Sequence, residues 1–417
     1  MPQFTGGVDN SKSELDIPDN ALVTCKNFEL TEKGLLQTRA GTNVVYSGSS
    51  PFTSAPITSI FRYRPPAGEC LIYTNAAKVF RRVPTAPADG LTGFTEITNS
   101  LDFLDGRRWR WVQFDDVAIG VNSGSRAAGK HNPVVLASPT ASLLNSTASG
   151  VGGDNWLPVG TLPDAPEGII VWNRRVWVYE GNEIHGCAAG DRRDHTTTGG
   201  AGVYDNTIGA DEGDLITGWT EWQDRLIIFK ENRIYEVVAG SPNVDTNQYE
   251  VRSLTNSLGC VHQETIQHLL GDVLFLSHHG VVSLTKLLTR GEDPIISRAI
   301  TELQGINTNA TYPAAYAKIN SSQYWLSVPT ATTRGADNTE VWVADLRFRD
   351  ERNVPPWFQW DGAIAGAAYA PSFIEDDGSL PIIGGSSGQN EYPIIGGYGN
   401  AYVFDSSRSE DSSGSMS

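Results

Sequence analysis

The chain has 417 residues and a formal net charge of −17 at pH 7. Hydrophobic residues make up 39%, Gly (43) and Pro (22) are abundant, Trp (11) is frequent and Met (2) is rare. This composition favours a turn-rich β protein with a sizeable core and argues against a helical bundle. The acidic balance argues against tight wrapping of nucleic acid, because few cations are available to release counterions from phosphates.

The termini and the cysteines predict a protein without export, membrane or disulfide features. Residues 1–13 show no basic start followed by an apolar stretch, and no apolar run approaches the ~18 residues of a membrane helix. Cys25, Cys70, Cys187 and Cys260 lie far apart, so we expect four reduced, buried thiols and no zinc site. Residues 406–417 contain seven serines and are predicted to be a disordered tail.

In the first part of the chain, residues 70–80 and 111–121 each have the pattern of two strands joined by a turn, and in residues 111–121 this turn lies at Asp115-Asp116. Residues 106–114 (GRRWRWVQF) lie just before it. On a strand, Arg108 and Arg110 face one side and Trp109 and Trp111 the other. Two interpretations stay open: an amphipathic strand with core tryptophans, or a basic strip that contacts an acidic neighbouring subunit. The strip consists of Arg107, Arg108 and Arg110.

The middle of the chain contains a gapless repeat of hairpins. Residues 172–185 (WNRRVWVYEGNEIH) align with residues 222–235 (WQDRLIIFKENRIY) at a fixed offset of 50 residues. The shared pattern predicts strand, tight turn, strand, tight turn, strand, with first turns at Asn173-Arg174 and Gln223-Asp224. Trp172 and Trp222 should then be equivalent and largely buried.

Weaker copies of this pattern follow at residues 272–282, 323–346 and 381–405, where PIIGG occurs twice. The apolar residues of 259–271 form no clean amphipathic helical face, so both a helix and a strand stay open for this segment. A period of about 50 residues with short strands is typical of a β-propeller. We predict an all-β propeller of six or seven blades; a β-sandwich is the weaker alternative, and a β-solenoid would need shorter periods.

The propeller is expected to be one domain over residues 1–405, with long loop insertions near residues 137–166 and 186–213. A propeller must join its first and last blades, or it leaves open sheet edges. A strand from the first fifty residues should therefore pair with the sheet that contains Tyr402–Phe404, and truncation before Pro393 should give insoluble protein.

The sequence contains no motif that predicts catalysis, a metal site or a cofactor. The spacing in residues 262–268 (HQETIQH) is not that of a zinc protease, and there is no nucleophile elbow, phosphate-binding loop or dinucleotide fingerprint. The acidic stretch 205–214 (DNTIGADEGD) lacks the ligand spacing of a calcium loop, which favours a solvated loop. We therefore expect no enzyme activity.

The N-terminal segment carries a family resemblance in residues 6–9 (GGVD), 15–21 (LDIPDNA), 25–28 (CKNF) and 34–41 (GLLQTRAG). Together with residues 226–237 and 258–286, this segment resembles the tail hub or nozzle proteins of short-tailed bacteriophages, also called head–tail stabilisation proteins. That family also has a smaller platform-like region, whose boundary the sequence does not mark.

The resemblance implies a structural virion protein, assembled in the host bacterial cytoplasm, that forms a ring, a hexamer, in the phage tail. The ring would bind the adaptor protein and the tail fibres or tailspikes, and it would let genomic double-stranded DNA pass. A lumen lined by carboxylates would repel phosphate, so the free protein should bind DNA weakly. The candidate lumen residues are Asp205, Asp211, Glu212 and Asp214.

Two other classes of function stay open. One is a propeller enzyme, a hydrolase or lyase acting on polysaccharide, and the other is a lectin-like or scaffolding propeller. An enzyme should show a cluster of carboxylates near the centre of the blades, and a ring protein should be visible as rings or tubes by electron microscopy.

Overall fold

The structure is a computed structural model. It describes residues 4–44, 57, 59–66, 68, 70–74, 78–82, 94–98, 109–122, 134–136, 144–145, 166–196, 202–210, 212–240, 249–289, 291–304, 313–318, 321–329, 338, 340–360, 370–375, 393–396 and 401–405. The chain divides into two compact units, one formed by residues 58–259 and the other by residues 1–57 and 260–417.

The N-terminal segment forms two small sheets before it enters the first large one. Strands β1 (Gly7–Val8) and β2 (Ala21–Leu22) pair in parallel, and β3 (Phe28–Leu30) and β4 (Leu36–Thr38) form an antiparallel hairpin. Strand β5 (Gly41–Val44) follows directly.

The unit of residues 58–259 contains four antiparallel sheets of four strands, each in consecutive order. The first comprises β6 (Ser59–Tyr63), β7 (Cys70–Thr74), β8 (Val79–Arg82) and β9 (Phe94–Glu96). The second comprises β10 (Trp109–Phe114), β11 (Val117–Asn122), β12 (Val134–Leu136) and β13 (Leu144–Asn145). The third comprises β14 (Gly168–Trp172), β15 (Arg175–Glu180), β16 (Glu183–Gly186) and β17 (Tyr204–Thr207). The fourth comprises β18 (Ile216–Trp222), β19 (Arg225–Lys230), β20 (Ile234–Ala239) and β21 (Tyr249–Thr255).

The other unit continues the pattern with three more sheets. A three-stranded sheet comprises β22 (Gln267–Leu269), β23 (Asp272–Ser277) and β24 (Gly280–Ser283), followed by the short helix α1 (Leu284–Leu288). The next sheet comprises β25 (Ala314–Lys318), β26 (Gln323–Val328), β27 (Glu340–Asp345) and β28 (Trp357–Trp360). The last comprises β29 (Ala370–Glu375), β30 (Pro393–Gly396), β31 (Ala401–Asp405) and β5. Single 3-10 turns occur at Gln263–Thr265, Thr301–Leu303 and Leu346–Phe348.

The predicted equivalence of the two hairpin segments is confirmed. Strands β14 and β18 end at Trp172 and Trp222, which are 3% and 9% exposed. Both following turns have two residues with positive φ: 47° and 58° at Asn173-Arg174, and 51° and 61° at Gln223-Asp224. This is the backbone of a type I′ turn, whose twist matches that of the flanking strands.

The predicted closure of the fold is also confirmed. Strand β5 pairs antiparallel with β31, so that Thr42 lies opposite Phe404 and Val44 opposite Tyr402. The N-terminal strand thereby becomes the fourth strand of a sheet whose other three strands come from the C-terminal end. The pairing removes a sheet edge that could otherwise recruit another chain.

A second sheet edge is covered by the N-terminal segment. Next to β28, the Asn27 N–H donates to the Gln359 carbonyl (2.8 Å), and the Gln359 N–H donates to the Cys25 carbonyl (3.4 Å). The indole N–H of Trp360 donates to the Phe28 carbonyl (2.8 Å). Residues 25–28 therefore form a parallel bridge beside β28 that satisfies both backbone groups of Gln359 at this edge.

Within the unit of residues 58–259, core residues lie between neighbouring sheets. One cluster joins the third and fourth sheets through apolar residues of both, among them Trp177, Tyr179, Trp219 and Leu226. Each buried aromatic removes ~150–250 Å² from water, about 4–6 kcal/mol at ~25 cal/mol per Å². First strands of neighbouring sheets are also in contact, as β10 is with β14 and β14 with β18.

Consecutive antiparallel sheets, contacts between their first strands and closure by an N-terminal strand together make this chain an all-β β-propeller. Among the described residues, six sheets have four strands and one has three. This repetition excludes the β-sandwich and the β-solenoid.

The two predicted loop insertions are partly wrong. Residues 186–213 include β17, the fourth strand of the third sheet, and residues 137–166 include β13. Strand β17 is the outer strand of its sheet, pairs with β16, and has mostly exposed side chains without apolar alternation. Residues 259–271 contain a 3-10 turn and β22 rather than a helix. The predicted tail, 406–417, lies outside the described residues.

Candidate functional site

The acidic loop between β17 and β18 is an ordered charge network. The carboxylate of Glu212 accepts hydrogen bonds from Lys230 Nζ (3.2 Å), from Tyr235 Oη (2.5 Å) and from the guanidinium of Arg233. The hydroxyl of Tyr235, followed by the ammonium of Lys230, holds the pKa of Glu212 below its usual value. One carboxylate thus joins the loop to both strands of the β19–β20 hairpin.

The ammonium of Lys230 is the buried member of this network. Its side chain is 0% exposed, and Nζ also donates to the Gly209 carbonyl (3.1 Å). Gly209 has a φ of +56°, and a Cβ there would lie 2.1 Å from Glu212 Oε2. Only glycine fits between the loop and the ion pair, which fixes the path of the chain from one sheet to the next.

Asp214, two residues after Glu212, binds the turn of the β19–β20 hairpin. Its two carboxylate oxygens accept from the N–H of Glu231 (3.2 Å) and of Asn232 (3.0 Å). These donors lie in the β19–β20 turn, where the backbone has no ladder partner. Asp214 therefore acts as a cap for the turn.

Asp205 lies on β17 and pairs with a histidine on the neighbouring strand. Its Oδ1 is 2.7 Å from His185 Nδ1, and Glu183 Oε2 is 3.7 Å from His185 Nε2. The Asp205 side chain remains 62% exposed. Close by, burial lowers the pKa of His195, whose Nε2 lies 3.2 Å from the Arg192 carbonyl.

The four predicted lumen residues therefore differ in their environment. Glu212 is neutralised by two cations, Asp214 caps a turn, and Asp205 is exposed beside a histidine. Asp211 lies outside the described residues. Lys230 and Arg233 were not predicted as partners of the acidic loop; the one signal in the sequence was a lysine directly after the apolar residues LIIF of β19. The position of the four acidic residues on a lumen wall stays a prediction.

The predicted arginine strip is described only at Arg110, because Arg107 and Arg108 lie outside the described residues. The guanidinium of Arg110 donates to the Tyr179 hydroxyl (2.9 Å) and to the Glu167 carbonyl, so it links the second and third sheets. Trp109 and Trp111 are buried on the other side of β10 and stack with centroids 5.3 Å apart. The predicted alternation is confirmed, and the role in a subunit interface stays a prediction.

The described part of the chain contains no group of three or more His, Cys, Asp or Glu side chains that could hold a metal ion. All four cysteines are buried and free, as predicted, and burial raises the pKa of Cys187 to about 11. In the same ranges, no helix has the length and hydropathy needed to cross a membrane.

Comparison with known proteins gives similarity in structure only. No family model and no curated protein sequence matches the chain. Among solved structures, YCF48 from Cyanidioschyzon merolae is similar at 11% identity and a TM-score of 0.46, over 88% of this chain and 100% of that one. The Pan2 WD40 domain from Neurospora crassa is similar at 10% identity and a TM-score of 0.43, over 89% and 95%. The fold is therefore established by the chain's own strand pairing.

Proposed function

We propose that this protein is a structural subunit of the tail nozzle or hub of a short-tailed bacteriophage. Copies would form a ring, a hexamer, between the adaptor protein and the tail fibres or tailspikes, and genomic DNA would pass through it. The protein would belong to the virion and assemble in the host cytoplasm. The proposal rests above all on residues 6–41, which carry the sequence resemblance, cover a sheet edge and expose a loop at residues 11–20.

The described sheet edges are paired, covered or charged, and this supports a role in an assembly. One edge is paired by β5 and another is covered by residues 25–28. The long outer strand β21 carries the ion pair Arg252–Glu250 (2.5 Å), and charges on an edge strand oppose pairing with another chain. Copies of such a protein associate through side-chain surfaces of defined geometry rather than by open-ended strand addition.

The charge of the chain supports a passive conduit. A net charge of −17 keeps the average surface negative, and the two cations of the β19–β20 hairpin that contact the acidic loop, Lys230 and Arg233, are already engaged by Glu212. Phosphates would meet few free cations there, so DNA would slide past without displacing counterions.

Within this proposal, each of the seven meander sheets is one blade. The three-stranded sheet β22–β24 then takes the place of a blade whose fourth strand is replaced by α1 and the residues after it. Pairing of Val282 with Ile295 as an isolated antiparallel bridge supports this assignment, since it adds a short segment beside β24.

The test is to image the purified protein by electron microscopy and to measure its mass by light scattering. Rings with an open centre and a mass of several subunits support the proposal. Monomers that cleave a polysaccharide would instead support the enzyme alternative, and monomers that bind one without cleavage the lectin-like alternative. A density map would also give the number of blades.

A further inference from the structure

The end of the β19–β20 hairpin places two cations side by side. Lys230 is the last residue of β19, and across the turn its N–H donates to the carbonyl of Arg233 (2.8 Å). Like charges at facing positions of a hairpin destabilise it, so an anion held between them is favourable. Among the described residues, Glu212 supplies the one carboxylate that pairs with these two side chains. The hairpin therefore depends on a negative group at this position.

The side chains that face this position form a set of hydrogen-bond donors for an anion, which we call the hairpin donor set. It consists of the Lys230 ammonium, the Arg233 guanidinium and the Tyr235 hydroxyl. All three donate to the carboxylate of Glu212, the ammonium over 3.2 Å and the hydroxyl over 2.5 Å. In the adjoining turn, two backbone N–H groups donate to the carboxylate of Asp214 (3.2 and 3.0 Å).

These donors have the chemistry of a phosphate-binding site. Ammonium, guanidinium, hydroxyl and backbone N–H groups are the groups that bind phosphate in proteins. A carboxylate offers such a set two oxygens, whereas a phosphate group offers three. A phosphate group would therefore satisfy the hairpin donor set at least as well as the carboxylate of Glu212 does.

The hairpin donor set favours a full negative charge and is open to solvent on one side. The hydroxyl of Tyr235, followed by the ammonium of Lys230, holds the pKa of Glu212 below its usual value. The Lys230 side chain is 0% exposed, but that of Arg233 is 33% exposed and that of Glu212 20%. An anion that replaces the Glu212 carboxylate can therefore enter from the side of Arg233.

We propose that the hairpin donor set is a phosphate-binding site that the carboxylate of Glu212 blocks from within the chain. Glu212 acts as an internal substitute for the ligand, and the site opens when this carboxylate leaves it. A phosphate of the DNA backbone and a free phosphate ion offer the same oxygens to the donors. The site belongs to one hairpin of one chain, so it does not depend on the proposed ring.

The first experiment measures phosphate binding through thermal unfolding. Glu212→Ala removes the carboxylate and leaves space, whereas Glu212→Gln removes the charge but still fills the site. Melting temperatures are recorded in sodium phosphate at neutral pH, with sodium chloride added to keep the ionic strength constant. Phosphate should raise the melting temperature of Glu212→Ala more than that of Glu212→Gln or of the unmodified protein. Its affinity for Glu212→Ala should be roughly tenfold higher or more, as expected for a hydrogen bond to a charged group.

Two further variants control for charge and for the donors. Glu212→Ala combined with Lys230→Met lacks the ammonium and should lose the response to phosphate. Glu221→Gln removes an exposed carboxylate of the same sheet and should respond like the unmodified protein. A destabilised variant can still be tested, because a ligand that binds the folded state raises its melting temperature. The proposal is overturned if Glu212→Ala responds no more than these controls, or if it responds equally to sodium acetate.

The second experiment identifies the source of the phosphate group. Binding of duplex DNA is followed by fluorescence anisotropy over a range of salt concentrations. If the site takes a DNA phosphate, the plot of log K against log salt should be steeper for Glu212→Ala than for Glu221→Gln by about 1, since one more phosphate is neutralised. An unchanged slope together with a response to phosphate assigns the site to free phosphate. A steeper slope that persists after Lys230→Met rejects the hairpin donor set as the DNA contact. The ring proposal is tested separately by imaging and is not affected by these results.

Discussion

Replacing Glu212 by Gln removes the counter-charge of a lysine that water does not reach. Gln keeps the shape of the side chain and one acceptor for Tyr235. The ammonium of Lys230, 0% exposed, would keep the Gly209 carbonyl (3.1 Å) and the face of the Tyr235 ring (5.7 Å to the centroid), but no counter-charge among its described partners. Replacing Lys230 by Met instead removes the buried charge and leaves Glu212 bound to Arg233 and Tyr235. The two substitutions on one ion pair should therefore have unequal effects.

The expected losses of folding free energy follow from how deeply each charged group is buried. Removing one partner of a buried ion pair costs about 3–5 kcal/mol. The Glu212 side chain is 20% exposed and partly screened, so we expect about 2–3 kcal/mol for Glu212→Gln. Lys230→Met should cost only about 0–1 kcal/mol, because a methionine of similar volume needs no hydrogen bond. The double variant should resemble Lys230→Met alone.

Thermal unfolding followed by circular dichroism measures this difference. For a cooperative unit of about 200 residues, 1 kcal/mol corresponds to about 2 °C. Glu212→Gln should then lower the melting temperature of the unit of residues 58–259 by about 4–6 °C, and Lys230→Met by no more than about 2 °C. If Lys230→Met is as harmful as Glu212→Gln, the buried ammonium is not the costly group and the reasoning is refuted.

The other predictions concern pH, packing, closure and DNA. The pKa of Glu212 is lowered in the folded protein, so the stabilisation by its carboxylate is fully present above the unfolded pKa of ~4.3 and is lost as pH falls through the folded pKa. The difference in melting temperature between the unmodified protein and Glu212→Gln should therefore become smaller in a series of melting curves run down to pH 3. Gly168→Ala would place a Cβ 2.1 Å from the buried Tyr179 ring and should cost about 1–3 kcal/mol in a denaturant titration, more than Gly186→Ala, whose Cβ lies 3.0 Å from Trp177; equal costs would contradict the steric argument. Truncation before Pro393 removes β30 and β31, leaves β5 without its partner and should give insoluble protein, which a soluble and cooperatively melting truncation would disprove. Duplex DNA should bind with Kd no tighter than ~10⁻⁴–10⁻⁶ M at physiological salt, and nanomolar, salt-sensitive binding in a fluorescence titration would reject the passive conduit.

The local elements of this fold could be predicted from sequence because their signals are local. A two-residue turn between apolar strands fixes its own backbone, and Asn173-Arg174 and Gln223-Asp224 both adopt the positive φ values that such a turn requires. The fixed offset between Trp172 and Trp222 then indicates one repeated unit, and repetition indicates the fold class. Closure was predictable as well, because open edges are costly in any propeller.

The partners of the charged side chains could not be predicted in the same way. Glu212 lies in a polar loop by sequence, yet it neutralises Lys230 at the end of an apolar strand 18 residues later. Arg110 belongs to a basic strip by sequence, yet it binds Tyr179 in the next sheet, 69 residues away. Strand β17 has no apolar alternation and is a strand only because β16 offers it an edge. The sequence by itself determined the hairpins and their repetition, since a turn and its flanking strands are set by neighbouring residues. Which charges are neutralised and which side chains stay exposed was decided only by the tertiary structure, because long-range pairing brings together groups that no local pattern connects.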